Sequence, residues 1–235
     1  MRMRLLVMVL LAGLLAACAP SASDGPRVTV EQLAQPISFY PRETGATWQY
    51  LPDGATLDED PLFSRVEGPI VLNGEIVTAW RLVGRGIDEQ DFRRFDPTGV
   101  YLLRTNKPGS SIDFDPPIRE LPAQEELRVG ARWGGETSAL VRFPGAHRPE
   151  DREQTFDIDY SYTVVDERYT NVPAGQFRVF VINFQSRWVD EEGDVLEELS
   201  QTSWFAPHIG QVRTVGGYYL VDANFDLSGQ STANQ

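Results

Sequence analysis

The chain is short of the residues on which much polar chemistry draws. Its 235 residues include one cysteine, Cys18, two histidines, His147 and His208, and one lysine, Lys107. A single cysteine excludes an internal disulfide, so stability has to come from core burial. Two separated histidines without an available thiol do not form a usual zinc set. There is no Gly-x-Ser-x-Gly elbow to mark a nucleophilic serine. Beyond residue 35 no stretch keeps a 3.6-residue period over ten residues, so no glycine-rich phosphate loop leads into a helix. Positive charge is also scarce: 21 Lys and Arg stand against 34 Asp and Glu, for a formal net charge of −13. A surface that acidic repels phosphate backbones, which argues against a nucleic-acid partner.

What the chain does have begins at its start. Arg2 and Arg4 precede an uncharged run from Leu5 to Leu15. That run is too short for a ~30 Å hydrocarbon core, which takes about 20 residues. A basic start, a short apolar stretch and small residues before a cut describe a secretory signal. Leu15-Ala16-Ala17-Cys18 resembles the lipobox of bacterial lipoproteins. The resemblance implies a diacylglyceryl group on the Cys18 sulfur and cleavage just before it. A plain secretory signal with a chance cysteine is the alternative. Ala19 follows, where an Asp tends to retain lipoproteins at the inner membrane. This leans towards the outer membrane, facing the periplasm, or towards the extracellular face of the membrane if the host lacks an outer one. Loss of Arg2 and Arg4 with the leader takes the net charge from −13 to −15.

The order of the chain divides it into a leader at 1–17, a lipidated tether with a short helix at 18–35, one β domain at 36–227 and a polar, disordered tail at 228–235. Residues 19–27 are small, polar and rich in Pro and Gly, as in a flexible tether. Thr29 with Gln32 forms a weak capping box, and Pro36 stops the turn. Strands follow. Ile70–Leu72 and Glu75–Trp80 flank Asn73-Gly74, the pair that suits two positive φ angles in a hairpin. Phe156, Ile158, Tyr160, Tyr162 and Val164 alternate with polar residues, which gives a strand one wet face. Asp88-Glu89-Gln90-Asp91 reads as an acidic loop, and Pro116-Pro117 as the end of a strand. Short strands are expected at 127–133 and 138–143, on either side of Gly134-Gly135. In all, ten to twelve strands are expected in an all-β antiparallel fold with a strongly curved sheet. Such a sheet either becomes a partly closed barrel or splits into a sandwich.

Two stretches echo each other. Gly45-Ala46-Thr47-Trp48 returns as Gly130-Ala131-Arg132-Trp133, and Phe95-Asp96-Pro97-Thr98-Gly99 as Phe205-Ala206-Pro207-His208-Ile209-Gly210. Their order is the same, although the second spacing is longer, which suggests two related meanders sharing one sheet.

Chemistry is harder to place. His147 and His208 sit beside prolines in expected loops. The acidic stretches Asp58-Glu59-Asp60 and Asp88–Asp91 lack the spaced carboxylates of a calcium loop, so no metal or other cofactor is expected. The remaining candidates are aromatic. Trp48, Trp80, Trp133, Trp188 and Trp204 would either line an apolar pocket in the curved sheet or fill its core.

Val172-Pro173-Ala174-Gly175-Gln176-Phe177 and Trp204-Phe205-Ala206-Pro207-His208-Ile209-Gly210-Gln211-Val212 resemble a pattern in uncharacterised bacterial lipoproteins and periplasmic β proteins. Those proteins are loosely similar to the curved-sheet carriers of lipoproteins. The resemblance implies a cavity for something apolar and no reaction. The expected role is therefore a lipid-anchored, non-enzymatic envelope protein. It would be joined to the membrane through Cys18 and bind an apolar ligand or an envelope protein. The alternatives are a structural or assembly lipoprotein without a cavity, and an envelope hydrolase acting on glycan or ester.

Overall fold

The computed structural model describes residues 39–190 and 192–227. The expected leader, Cys18, the expected tether and short helix, and the expected tail at 228–235 lie outside the described residues. The chain folds into twelve strands: β1 (Thr47–Pro52), β2 (Leu62–Leu72), β3 (Glu75–Gly84), β4 (Ile87–Asp96), β5 (Gly99–Lys107), β6 (Ser110–Pro122), β7 (Arg132–Arg142), β8 (Glu153–Val172), β9 (Gly175–Val189), β10 (Val195–Ala206), β11 (Gly210–Arg213) and β12 (Tyr218–Ala223). Each pairs antiparallel with its sequence neighbour, and β1 pairs with β12, so the sheet closes completely on itself. The only helical pieces among the described residues are single 3-10 turns at Gln124–Glu126 and Pro149–Asp151. Full closure goes beyond the partly closed barrel or sandwich that the sequence left open.

Three expectations need correction. Asp88–Asp91 is not a loop but part of β4, because each acid finds a partner across the sheet: Asp88 meets Arg81, Glu89 meets Lys107 and Asp91 meets Thr105. β6 runs straight through Pro116-Pro117. Its pairing with β5 breaks between Asp113 and Ile118 and its pairing with β7 stops at Asp115, so neither proline has to supply a ladder N–H. Leu127–Ala131 is not a strand, whereas β7 is continuous through Gly134-Gly135. A Cβ on Gly134 would collide with the Tyr160 carbonyl oxygen, so the glycine lets β8 approach.

The echo in the sequence is an echo in the backbone. The Gly45 and Gly130 N–H groups donate to the Val66 and Val164 carbonyls at 2.9 and 2.8 Å, and those valines donate back to Ala46 and Ala131. Both glycines have positive φ, at 91° and 85°. A bulge follows each valine, between Val66 and Gly68 and between Val164 and Asp166. Trp48 and Trp133 each stand second in the first strand of a six-stranded half, β1–β6 and β7–β12. The two halves also share a long second hairpin, β2–β3 and β8–β9. In the first half Leu72, Val77, Ala79, Phe92 and Leu103 form a small core on the face opposite Trp80. In the second, the hairpin tip reaches β12, where Ala174 N–H donates to the Leu220 carbonyl at 3.1 Å.

The interior is largely apolar, and ion pairs cross part of the exterior. Along one outer row Glu153, Arg142, Asp113 and Arg104 pair across β8 to β5. A barrel that spans a membrane needs the reverse, an apolar outer band. The outer face of β5 to β8 is built to meet water.

Candidate functional site

The turns at 73–74, 97–98 and 207–209 mark one end of the barrel, and those at 85–86, 108–109 and 190–194 the other. The first end is plugged by the segment that precedes β1. His208 N–H donates to the Phe39 carbonyl at 2.9 Å, Pro41 is fully buried, and the Tyr40 ring lies 5.4 Å from Trp80, 6.0 Å from Phe95 and 5.8 Å from Phe205. Phe95 and Phe205 are the matching aromatics of the two halves, so the plug sits on the axis of the repeat.

Beneath the plug lies a charged centre. The Arg93 Nε donates to Glu120 Oε2 at 2.6 Å and its Nη2 to Glu120 Oε1 at 3.1 Å, a two-pronged contact. The same Nη2 donates to Asp91 Oδ2 at 2.8 Å, and Thr105 Oγ1 donates to Asp91 Oδ1 at 2.7 Å. The guanidinium lies over Trp80, 5.4 Å from the ring centre. Two bulges shape this geometry. Leu103 is the extra residue of β5 opposite Phe92 and Arg93, and Glu120 is the extra residue of β6 between Arg119 and Leu121. A bulge re-aims a side chain, and here it turns Glu120 inward.

Burial works against the charge of Arg93, but Glu120 and Asp91 outweigh it and hold the guanidinium well above its usual range. Burial pushes the Tyr40 hydroxyl up to about 12, with Arg93 opposing and Glu120 and Asp91 adding to the rise. Tyr50 and Tyr162 are raised too, chiefly by burial. A phenol raised when folded stabilises the fold fully below its unfolded value of ~10, and that contribution is lost as pH climbs through the folded value. For Tyr40 the rise is about 2–3 kcal/mol. Tyrosinate absorbance from these three rings should therefore appear only above pH ~10, together with loss of the tertiary circular dichroism signal. Complete tyrosinate formation with the fold intact would contradict this packing.

Towards the other end the interior opens. Tyr162 stacks on Trp133 at 5.4 Å, touches Phe184 at 4.7 Å and is followed along the same wall by Trp188 and Phe156, 6.2 Å apart. These rings pack on the core of Phe114, Ile118, Ala139, Ile158 and Tyr160 but keep one side open; Phe156, Tyr162, Phe184 and Trp188 are only half-buried, as are Leu102 and Ile112 opposite them. Asp91 and Glu120 remain 24 % and 23 % exposed at the floor. The half-buried rings thus form an aromatic wall, and the two carboxylates a polar base, of what we call the cup. A cleft of about 700 Å³ lies elsewhere, crossing β7 to β10 between exposed Glu136, Asp159, Arg187 and Glu198.

The five tryptophans do not share one pocket. Trp48, Trp80 and Trp133 are buried and fill the core, with the Trp48 Nε1 donating to the Ile209 carbonyl at 2.7 Å and the Trp133 Nε1 to the Arg119 carbonyl at 3.0 Å. Trp188 alone stands on the cup wall. Trp204 lies between Arg168 and Arg213, with Tyr219 at its edge. His147 and His208 sit at opposite ends of the barrel, in the loop before β8 and the turn before β11. Among the described residues no three His, Asp or Glu side chains are placed to hold a metal ion. Sequence reasoning missed the Arg93 centre. The one signal for it was Asp91 and Arg93 at a two-residue spacing, which puts both on one face of a strand.

No family model matches the chain, and no curated protein matches it. Two solved structures are similar in fold. One, described as exported and of YmcC-like fold, is from Bacteroides fragilis; it has 15 % identity and a TM-score of 0.46 over 80 % of this chain and 99 % of its own. The other, described as a lipoprotein, is from Parabacteroides distasonis; it has 12 % identity and a TM-score of 0.38 with the same coverage.

Proposed function

We propose that this is a lipid-anchored envelope protein without enzymatic activity, and that its barrel holds an apolar ligand in the cup. The observation that carries the reading is the row of half-buried rings, Tyr162, Phe184, Trp188 and Phe156, on an inner wall whose opposite end is plugged. Rings that fill a core lose their exposure, as Trp48 and Trp80 do; rings kept open inside a barrel offer a binding wall. The two carboxylates nearest the cup are engaged by Arg93, which favours binding over acid–base work. The Leu15–Cys18 motif supports anchoring, and Ala19 supports the outer membrane facing the periplasm.

Mass spectrometry of the protein extracted from its own membranes is expected to show acyl chains on Cys18 and a co-purifying apolar molecule. Changing Phe184 and Trp188 together to alanine should weaken that association at least about tenfold, the equivalent of ~1.4 kcal/mol. Recovery of an empty barrel, with no saturable binding of any long-chain probe, would leave partner docking as the better reading. One observation already favours that second reading: Val71 and Ile76, paired at the tip of β2–β3, are 71 % and 73 % exposed.

A further inference from the structure

The duplicated halves supply their own control for that exposed pair. In β2–β3 the turn Asn73-Gly74 is flanked first by Leu72 and Glu75, then by Val71 and Ile76. In β8–β9 the turn Pro173-Ala174 is flanked first by Val172 and Gly175, then by Asn171 and Gln176. The buried positions agree: Val77 and Phe177, one residue further from the turn, are both buried. The exposed positions differ, an aliphatic pair in one half and an amide pair in the other, and both pairs face solvent. The fold is therefore satisfied by polar residues at this point, and packing does not account for Val71 and Ile76. Ile70, 38 % exposed and paired with Val77, adds an aliphatic side chain on the other face of the same tip. From residue 68 to 78 the sole charged side chain is Glu75, and Arg94 lies 3.5 Å from its carboxylate. On a chain of net charge −13 this is a neutral, greasy finger.

Its position names the occupant. The segment that enters β1 lies against the base of the same hairpin, with Thr44 packed on Gly68 and Gly45 bonded to Val66. Twenty residues lie between Cys18 and Phe39. They span at most about 70 Å, enough for the finger to reach a bilayer that holds Cys18. We infer that the β2–β3 tip, through Val71, Ile76 and Ile70, dips into the lipid surface on which the chain is anchored and fixes the orientation of the barrel there. This rests on the proposed acylation of Cys18. The tip adds a second contact to the covalent one, and its neutrality avoids the repulsion that the rest of the surface would meet at anionic headgroups.

The test uses the full, membrane-extracted chain in vesicles of phosphatidylcholine and phosphatidylethanolamine containing doxyl-labelled lipid. A fluorophore is attached at Ile76→Cys in one sample and at Gln176→Cys, the matching position of the other half, in a second. The label at 76 is expected to be quenched about threefold more than the label at 176, and Val71→Asn in the same chain should reduce the difference. Equal quenching at both sites on an acylated chain would overturn the inference alone. So would an unquenched label at 76 that instead crosslinks to a protein in native membranes. Absence of acyl chains on Cys18, which would leave that thiol open to the fluorophore, would overturn the anchor on which it rests.

Discussion

Arg93→Met is expected to destabilise the barrel by about 3–5 kcal/mol, read by equilibrium urea unfolding. The guanidinium is the one cation between two interior carboxylates, and its removal leaves Asp91 and Glu120 facing each other with little water. The loss comes from orphaning those charges, since a buried ion pair contributes little net stability against an apolar replacement. Exchanging all three together, Asp91→Leu, Arg93→Met and Glu120→Leu, should therefore recover most of the loss. Glu120→Gln keeps the bulge and one acceptor and should cost about 1.5–3 kcal/mol, the usual worth of a hydrogen bond to a charged group. A single Arg93→Met variant within 1 kcal/mol of the parent, on the order of the worth of an exposed pair, would mean that the centre is wet throughout.

Trp48→Ala should cost a similar amount, about 3–5 kcal/mol, for a different reason. Trp48 is 2 % exposed and touches Trp80 and Phe225 at 6.4 and 5.1 Å between ring centres, so truncation leaves a cavity where both halves meet. Trp48→Phe separates the terms. It refills most of the space but orphans the Ile209 carbonyl, at a cost of about 1–3 kcal/mol. Trp133→Ala probes the matching site, where the indole donates to Arg119 instead. In every variant unfolding should stay a single transition, because β1 of one half completes its pairing with β12 of the other. Two separated transitions would show that the halves fold on their own.

Much of the barrel was legible because its backbone makes strict demands on residue type. Asn73 and Gly74 have φ of 52° and 85°, the values that this pair accepts. Gly45 and Gly130 recur because one positive-φ turn is used twice. The strict alternation from Phe156 to Val164 gave the inner and outer faces of β8 correctly, since no bulge interrupts it before Val164. Where bulges intervene, alternation fails. Opposite Trp204 and Phe205 the extra residue is Val212 of β11, which joins the core while Arg213 comes to lie over the Trp204 ring. The Arg93 centre was hidden for the same reason. Its parts come from β4, β5 and β6, and the bulges at Leu103 and Glu120 that align them depend on neighbouring strands. Charged residues in a row look solvated until the partners on the next strand are known, which is why Asp88-Glu89-Gln90-Asp91 reads as a loop.

The seam between β1 and β12 also sets a timetable. Thr47 N–H donates to the Asn224 side chain and Asn224 N–H to the Thr47 carbonyl, a clasp between residues 177 positions apart. Until the last strand is available, the first has a bare edge, and contacts this distant in sequence form slowly. In a chain made from its N-terminus, β1 would be released long before the cylinder could shut. For that interval the sheet would be incomplete and sticky, and a protein truncated before Tyr218 would never leave that state.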